Sequence, residues 1–157
     1  MAVAVLTDPA TSAYPGRPLY LNGTAQDLRY NTGNVLSDGG TPIFPFGLVV
    51  AARGTGSKRL VQINAGMGTP GVGITHFPDP YPRLFYVNQE VMEGPGAWYA
   101  CRETGIPLDG NVAVYYRGED EVTPNECVEI ELVPWCNGPF GEESERPFAI
   151  AGACYEV

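Results

Sequence analysis

The sequence predicts a single all-β domain, an antiparallel β-sandwich or barrel of about ten to twelve short strands. The chain has 157 residues, and its 20 glycines and 15 prolines punctuate short apolar segments along the whole length. No apolar pattern of helical period persists through three turns without a proline or glycine, so no substantial helix is expected. A β-trefoil also fits this length and is the alternative fold.

The strand candidates are short segments that are rich in β-branched and aromatic residues. The strongest are Phe46–Ala51, Leu60–Asn64, Arg83–Val87, Ala97–Cys101, Val112–Tyr116 and Cys127–Val133. Weaker candidates are Ala2–Leu6, Leu19–Leu21, Asp27–Tyr30, Gly73–Thr75, Pro147–Ile150 and Ala153–Glu156. Residues 1–17 are expected to form an extended N-terminal segment of the one domain, which covers residues 1–157.

Four cysteines, Cys101, Cys127, Cys136 and Cys154, lie in the last third of the chain without any CxxC spacing. The single histidine leaves a zinc site short of its usual ligands, so two disulfides are predicted. If the chain is extended from Cys127 toward Cys136, these two cysteines lie farther apart than the roughly 7 Å that a disulfide can bridge. A bond between Cys127 and Cys136 is therefore disfavoured. The pairings 101–127 with 136–154, and 101–136 with 127–154, both remain open.

Two disulfides favour an oxidising compartment, so the protein is expected to be extracellular. Met1–Leu6 lacks the basic start and the length of a signal peptide, so either the chain is cytosolic or its leader has been removed, and the cysteines favour removal. No apolar run approaches the roughly 20 residues that a membrane span requires. The tripeptide Asn22-Gly23-Thr24 makes Asn22 a candidate glycosylation site.

The chain is acidic, with 18 Asp and Glu residues against 9 Lys and Arg residues and a net charge of -9. This charge repels nucleic-acid phosphates and anionic membranes, and neither is expected as a partner. Arg53, Lys58 and Arg59 flank a glycine-rich turn and are interpreted as solvated tips. The acidic run Glu119–Glu121 is interpreted as a charged hairpin tip.

No catalytic residue, metal site or cofactor is predicted. His76 has no serine or cysteine in a recognisable nucleophile elbow. The glycines of Gly66–Gly73 are not followed by the Lys-Ser or Lys-Thr of a phosphate-binding loop, and they predict a turn with positive φ angles instead.

Aromatic side chains offer the most plausible binding chemistry, because sugar rings stack on flat faces while acidic and amide groups hold hydroxyls. The candidate ligand-binding residues are Tyr86, Trp98, Tyr115, Tyr116 and Trp135. Adjacent residues of a strand face opposite ways, so one of Tyr115 and Tyr116 is expected in the core and only the other is free.

A set of glycine-spaced and aromatic segments within residues 44–136 resembles a known protein family. The segments are Phe44–Val50, Val61–Gly68, Gly71–Ile74, Trp98–Cys101 and Val114–Tyr116. They are similar to a family of small secreted ascomycete proteins that includes the phialide cell-wall protein, its allergenic relatives and other extracellular homologues. The resemblance implies secretion, a β-rich fold and residence at the fungal wall or in the surrounding medium, and it brings no catalytic signature.

The sequence therefore predicts a secreted, non-enzymatic fungal protein that acts at the cell surface, either wall-associated or carbohydrate-binding. One alternative is an effector that binds a host protein. Another is a polysaccharide hydrolase that uses paired carboxylates. The expected partners are a cell-wall polysaccharide or a host protein.

Overall fold

A computed structural model describes residues 2–3, 5–6, 19–30, 32–39, 44–53, 58–75, 82–88, 96–104, 110–134, 149–150 and 154–155. Within these ranges the chain forms twelve strands and one short helix. The elements are β1 (Ala2–Val3), β2 (Val5–Leu6), β3 (Tyr20–Asn22), α1 (Ala25–Tyr30), β4 (Asn34–Gly39), β5 (Phe44–Val50), β6 (Arg59–Ala65), β7 (Val72–Ile74), β8 (Leu84–Tyr86), β9 (Ala97–Arg102), β10 (Val112–Arg117), β11 (Cys127–Ile130) and β12 (Ala149–Ile150).

Eight of the strands form one curled antiparallel sheet in the order β11-β9-β10-β6-β5-β4-β3-β12. β7 and β8 pair with each other in a separate two-stranded sheet. The prediction of an all-β fold made of short strands is confirmed. The β-trefoil alternative does not describe this arrangement, because one continuous sheet takes up most of the strands.

Strands β1 and β2 fill a gap between two strands of the large sheet. β6 and β10 are paired where Leu60 lies opposite Tyr115. Farther along β6, residues 62–63 pair with β1 instead, and residues 112–113 of β10 pair with β2. β1 and β2 therefore satisfy the backbone groups of two strand edges that diverge from each other.

Two clusters of buried side chains lie on the two faces of β9 and β10. The larger cluster contains Leu21, Val35, Leu48, Val50, Val61, Val72, Tyr86, Trp98, Val114 and Tyr116. The smaller cluster contains Tyr99, Cys101, Ala113 and Tyr115. Successive residues of a strand point to opposite faces, so burial of both sets means that β9 and β10 are covered on both sides.

One weak strand candidate is wrong, because Asp27–Tyr30 belongs to helix α1. Thr24 and Asp27 form a capping box. The Asp27 amide donates to Thr24 Oγ1 at 3.2 Å, and the Thr24 amide donates to Asp27 Oδ2 at 2.7 Å. These two bonds satisfy backbone donors that a helix start leaves unpaired, which selects a helical turn over an extended strand.

Strand β4 was not among the predicted strands. Its sequence, Asn34-Val-Leu-Ser-Asp-Gly39, begins and ends with residues that favour turns. It lies between β3 and β5, and its central side chains Val35, Leu36 and Ser37 are all buried. Tertiary packing on both faces has overridden the local preference for a turn.

A disulfide joins Cys101 of β9 to Cys127 of β11, which lie directly opposite each other with their Cα atoms 4.5 Å apart. This bond selects the first of the two predicted pairings and excludes a bond from Cys101 to Cys136. Cys154 also takes part in a disulfide, while Cys136 lies outside the described residues. The 136–154 bond stays a prediction.

Candidate functional site

A glycine-rich loop, residues 66–71, shapes the candidate site. Gly66, Gly68 and Gly71 have φ angles of 117°, 77° and 91°, which confirms the predicted turn and explains why glycine stands there. The loop passes so close to β5 that a Cβ atom on Gly47 would overlap the backbone nitrogen of Gly68. Glycine at both positions therefore allows two backbone segments to meet.

Hydrogen bonds hold the far end of the loop in place. The amide of Thr69 donates to the carbonyl of Leu48 at 2.8 Å, and the amide of Val50 donates to Thr69 Oγ1 at 2.9 Å. The amide of Gly71 donates to the carbonyl of Gly33 at 2.8 Å. The loop thereby supplies partners to an edge of β5 that β4 leaves uncovered.

A cleft of about 530 Å³ opens beside this loop. It is lined by Thr32, Val50, Ala51, Ala52, Arg53, Arg59, Thr69, Pro70, Gly71, Tyr86 and Asn88. The lining combines apolar walls with hydroxyl, amide and guanidinium groups, and its volume falls in the range typical of small-molecule sites, roughly 300 to 1,000 Å³. Chemically, such a cleft can surround a polar organic ligand and hydrogen-bond it from several directions.

Helix α1 helps to position Thr32, which lines the cleft. Thr32 Oγ1 donates to Asp27 Oδ1 at 2.9 Å, and the Thr32 amide donates to the Asp27 carbonyl at 2.9 Å. Hydrogen bonds from Thr24 and then from Thr32 lower the pKa of the Asp27 carboxyl group. Asp27 thus links the start of the helix to the cleft.

One wall of the cleft carries two guanidinium groups that share a carboxylate. Arg53 Nε lies 3.1 Å from Glu121 Oε1, and Arg59 Nη2 lies 3.4 Å from Glu121 Oε2. The amide of Gly118 donates to Glu121 Oε2 at 2.6 Å. Glu121 is therefore fixed at both oxygens, and it orients both arginines toward the cleft.

Two sequence interpretations need correction at this wall. Arg59 is not a solvated tip, because it is only 2% exposed and its guanidinium carbon lies 5.8 Å from the centre of the Tyr116 ring. Glu121 is not part of a solvated hairpin tip, because its side chain is only 8% exposed. Charged groups are rarely buried unless they are paired, and each of these supplies the partner that the other needs.

Three predicted ligand-binding aromatics, Tyr86, Trp98 and Tyr116, pack together in the larger core cluster. The ring of Tyr116 makes edge-to-face contacts with Tyr86 at 4.9 Å and with Trp98 at 5.1 Å. Of the three, only Tyr86 lines the cleft. Trp135 lies outside the described residues, and ligand binding by these side chains stays a prediction.

Tyr115 is buried on the opposite face of the sheet, so the expected alternation holds but neither Tyr115 nor Tyr116 is exposed. Its ring stacks on Tyr99 at 5.4 Å, and its hydroxyl donates to Glu103 Oε1 at 2.8 Å. Lys58 lies 5.5 Å from the centre of the same ring. Burial is the main reason why the pKa of Tyr99 rises to about 12, and negative charge on nearby glutamates adds to the shift. Burial and the hydrogen bond to Glu103 also raise the pKa of Tyr115 above its ordinary value.

The candidate glycosylation site Asn22 lies in β3, and its side-chain amide donates to Asn34 Oδ1 at 3.0 Å. The side chain is half-buried, and a glycan on its nitrogen would compete with this bond. Glycosylation of Asn22 stays a prediction.

In the part of the chain that the structure describes, no three or more His, Cys, Asp or Glu side chains are grouped as metal ligands. His76 lies outside that part. None of the described helical residues form a helix with the length and apolar character that a membrane span needs.

Sequence reasoning did not find the cleft. Its wall brings together Thr32, Arg53, Arg59, Thr69 and Asn88, which are distant in the sequence. The local signal that was present is the glycine spacing of residues 66–71, which correctly indicated a turn but not what the turn would pack against.

The chain is similar to one described protein family and to an antigenic protein of a fungus. The family described as a domain of unknown function (DUF7907) matches residues 1–136. The antigenic protein SchS34 of Stachybotrys chartarum is 32% identical over 163 residues, which cover 98% of this chain and 72% of that protein. No solved structure matches the chain. The predicted likeness to fungal allergens is supported at this level, while a specific relation to the phialide cell-wall protein stays a prediction.

Proposed function

We propose that this chain, which belongs to the DUF7907 family, is an extracellular fungal protein. It binds a wall carbohydrate and does not alter it chemically. The cleft beside the glycine-rich loop is the proposed binding site, and it is the observation that carries the proposal.

The composition of the cleft supports a sugar as the ligand. Saccharides present many hydroxyl groups, each of which donates and accepts hydrogen bonds. The cleft meets these hydroxyls with the side chains of Thr32, Asn88 and Arg53, and it offers apolar surface at Val50 and Ala51 to the carbon-bound faces of the ring.

The location outside the cell has two independent supports. The relative from Stachybotrys chartarum is an antigenic protein, and an antigen of a mould is a protein that an immune system encounters. The Cys101–Cys127 disulfide fits an oxidising compartment, because cytosolic thiols are normally kept reduced.

Hydrolysis is left out of the proposal on chemical grounds. Acid-base cleavage of a glycosidic bond uses two carboxyl groups that flank the bond. The described lining of the cleft contributes no Asp or Glu, and Glu121 behind it already binds two arginines.

The proposal is tested by retention of the purified protein on insoluble chitin, β-glucan, cellulose and pectin. The variant Ala52→Trp places a bulky ring at an exposed position of the cleft lining, and Ala149→Trp places the same ring on the exposed edge strand β12. Both variants are expected to fold, because both alanines are exposed.

Retention of the wild-type protein on at least one polysaccharide, abolished by Ala52→Trp and kept by Ala149→Trp, supports the proposal. Failure of the wild-type protein to bind any of the four materials overturns it. So does equal binding by the two variants, which would place the site elsewhere. Capture of a specific host protein by this same cleft would favour the effector alternative.

A further inference from the structure

We infer that Asn22 is a site of spontaneous deamidation in the folded protein, where the backbone nitrogen of Gly23 displaces the side-chain amide of Asn22 as ammonia. This inference is independent of the proposed function. It comes from the backbone amide of Gly23 at the end of β3 and from the hydrogen bond that holds the Asn22 side chain.

The reaction joins the Gly23 nitrogen to Cγ of Asn22 in a five-membered ring. The bond from Cγ to Nδ2 breaks, and the Gly23 amide proton leaves with Nδ2 as ammonia. Water from the solvent then opens the ring. Opening at Cγ gives aspartate, whereas opening at the main-chain carbonyl carbon gives isoaspartate, in which the main chain runs through the former side chain.

Gly23 is well suited to this attack. It has no Cβ atom that could hinder the approach of its nitrogen to the preceding side chain. It lies in a bend directly after β3, and its amide makes no hydrogen bond in the part of the chain that the structure describes. The nitrogen therefore gives up no hydrogen bond when it reacts.

The Asn22 side chain is half-buried, so solvent water can reach the ring that forms there. Its Nδ2 atom, which is the leaving nitrogen, donates to Asn34 Oδ1 at 3.0 Å. This bond opposes rotation of the amide group toward Gly23. The hydrogen bond between Asn22 and Asn34 is therefore expected to slow the reaction without preventing it.

Asn64 provides a matched comparison within the same chain. It is also half-buried near the end of a strand, and its Nδ2 atom donates to Gln62 Oε1 at 3.0 Å. The residue that follows it, Ala65, carries a Cβ atom and still belongs to β6. Deamidation is therefore expected at Asn22 and not at Asn64.

The two products differ in their effect on the sheet. Aspartate keeps the main chain of β3, and the Asn34 amide can turn so that its NH2 group faces the new carboxylate. Isoaspartate adds one carbon to the main chain at position 22, which pairs with Asn34 in β4 and with Ala149 in β12. The isoaspartate form is therefore expected to have a lower urea midpoint than the unmodified protein.

The test uses protein from a bacterial host, where Asn22 carries no glycan that would block the loss of ammonia. The folded protein is incubated in mildly alkaline buffer and analysed by peptide mass spectrometry. The peptide with Asn22 is expected to gain the mass difference between OH and NH2, while the peptide with Asn64 keeps its mass. A second Asn-Gly pair, at residues 137–138, lies outside the described residues and is followed in its own peptide.

Asn34→Ala removes the acceptor of the Asn22 side chain and is expected to speed the conversion of Asn22. Asn34→Asp keeps an acceptor oxygen and is expected to convert at about the wild-type rate. Gln62→Ala is the matched control, since it removes the acceptor of Asn64 and is expected to leave Asn64 intact. Urea unfolding of each variant verifies that the fold is retained.

Conversion of Asn22 in the native protein that is faster in Asn34→Ala supports the inference. An Asn22 that keeps its mass while a synthetic peptide of residues 19–27 is converted overturns it, as does equal conversion of Asn22 and Asn64. Conversion that occurs only above the urea midpoint also overturns it, because the reaction would then belong to the unfolded chain. An unchanged rate in Asn34→Ala refutes the role given to the hydrogen bond.

Discussion

Two tyrosines on neighbouring strands predict opposite effects of the same substitution. The buried hydroxyl of Tyr116 accepts a hydrogen bond from the Gly96 amide at 2.8 Å and donates one to the carbonyl of Tyr86 at 3.1 Å. Tyr99 is also fully buried, but its hydroxyl has no hydrogen-bond partner in the described structure. Replacing each with phenylalanine removes one oxygen atom and keeps the ring.

Tyr116→Phe removes the two hydrogen bonds that this hydroxyl makes with the Gly96 amide and the Tyr86 carbonyl. Removing one partner of a buried hydrogen bond costs about 1 to 3 kcal/mol, and a loss of about 2 kcal/mol in the free energy of unfolding is expected. For a chain of this size that corresponds to a fall in Tm of about 4 to 8 °C. Tyr99→Phe removes a polar group that was buried without compensation, so no loss, or a small gain, is expected.

Equilibrium urea unfolding, followed by tryptophan fluorescence and circular dichroism, measures both variants against the wild type. The ring contacts of Tyr116 with Tyr86 and Trp98 are preserved in phenylalanine, so the difference isolates the hydroxyl. The reasoning is refuted if Tyr116→Phe is as stable as the wild type, or if Tyr99→Phe loses as much stability as Tyr116→Phe.

Three further predictions concern the crosslink, alkaline pH and the loop contact. Replacing both Cys101 and Cys127 with alanine opens a loop with a sequence separation of 26 and should lower the unfolding free energy by about 3.5 kcal/mol on the chain-entropy model; unchanged urea midpoints would contradict it. Tyr99 and Tyr115 ionise near pH 10 when unfolded but have a raised pKa in the fold. The part of the unfolding free energy that comes from these two neutral side chains should therefore be fully present below about pH 10 and decline as the pH rises toward about 12. Tyrosinate absorbance follows the ionisation, and an unfolding free energy that rises in this window would contradict the burial of these groups. Gly47→Ala should displace the loop backbone, lower the unfolding free energy by about 1 to 3 kcal/mol and weaken ligand binding in calorimetry; an unaltered urea midpoint would show that the contact is not tight.

The central strands could be predicted from the sequence because their residue types suit the buried positions that they occupy. β9 and β10 are runs of aromatic, β-branched and small residues that suit a sheet covered on both faces. The same property made the aromatic ligand site hard to judge. The expectation that either Tyr115 or Tyr116 would be free assumed a solvated second face, whereas that face holds its own buried cluster.

The short helix and strand β4 were missed for different reasons. The Thr24-x-x-Asp27 pattern of α1 is a recognisable capping box, and it could have been read from the sequence. β4 has no comparable local signal, because its burial depends on pairing with β3 and β5. Burial of Arg59 likewise depends on Glu121, which lies far along the chain and folds back onto it.

The pairing of β1 with β6 and of β2 with β10 affects the order in which the sheet can form during biosynthesis. β1 and β2 pair with residues 62–63 and 112–113, which are synthesised after them, so this pairing must wait until those residues have emerged from the ribosome. Until then the gap between β6 and β10 stays open, and two strand edges are available to foreign chains. Closure of the sheet is therefore a late step, and a chaperone that shields these edges would act before it.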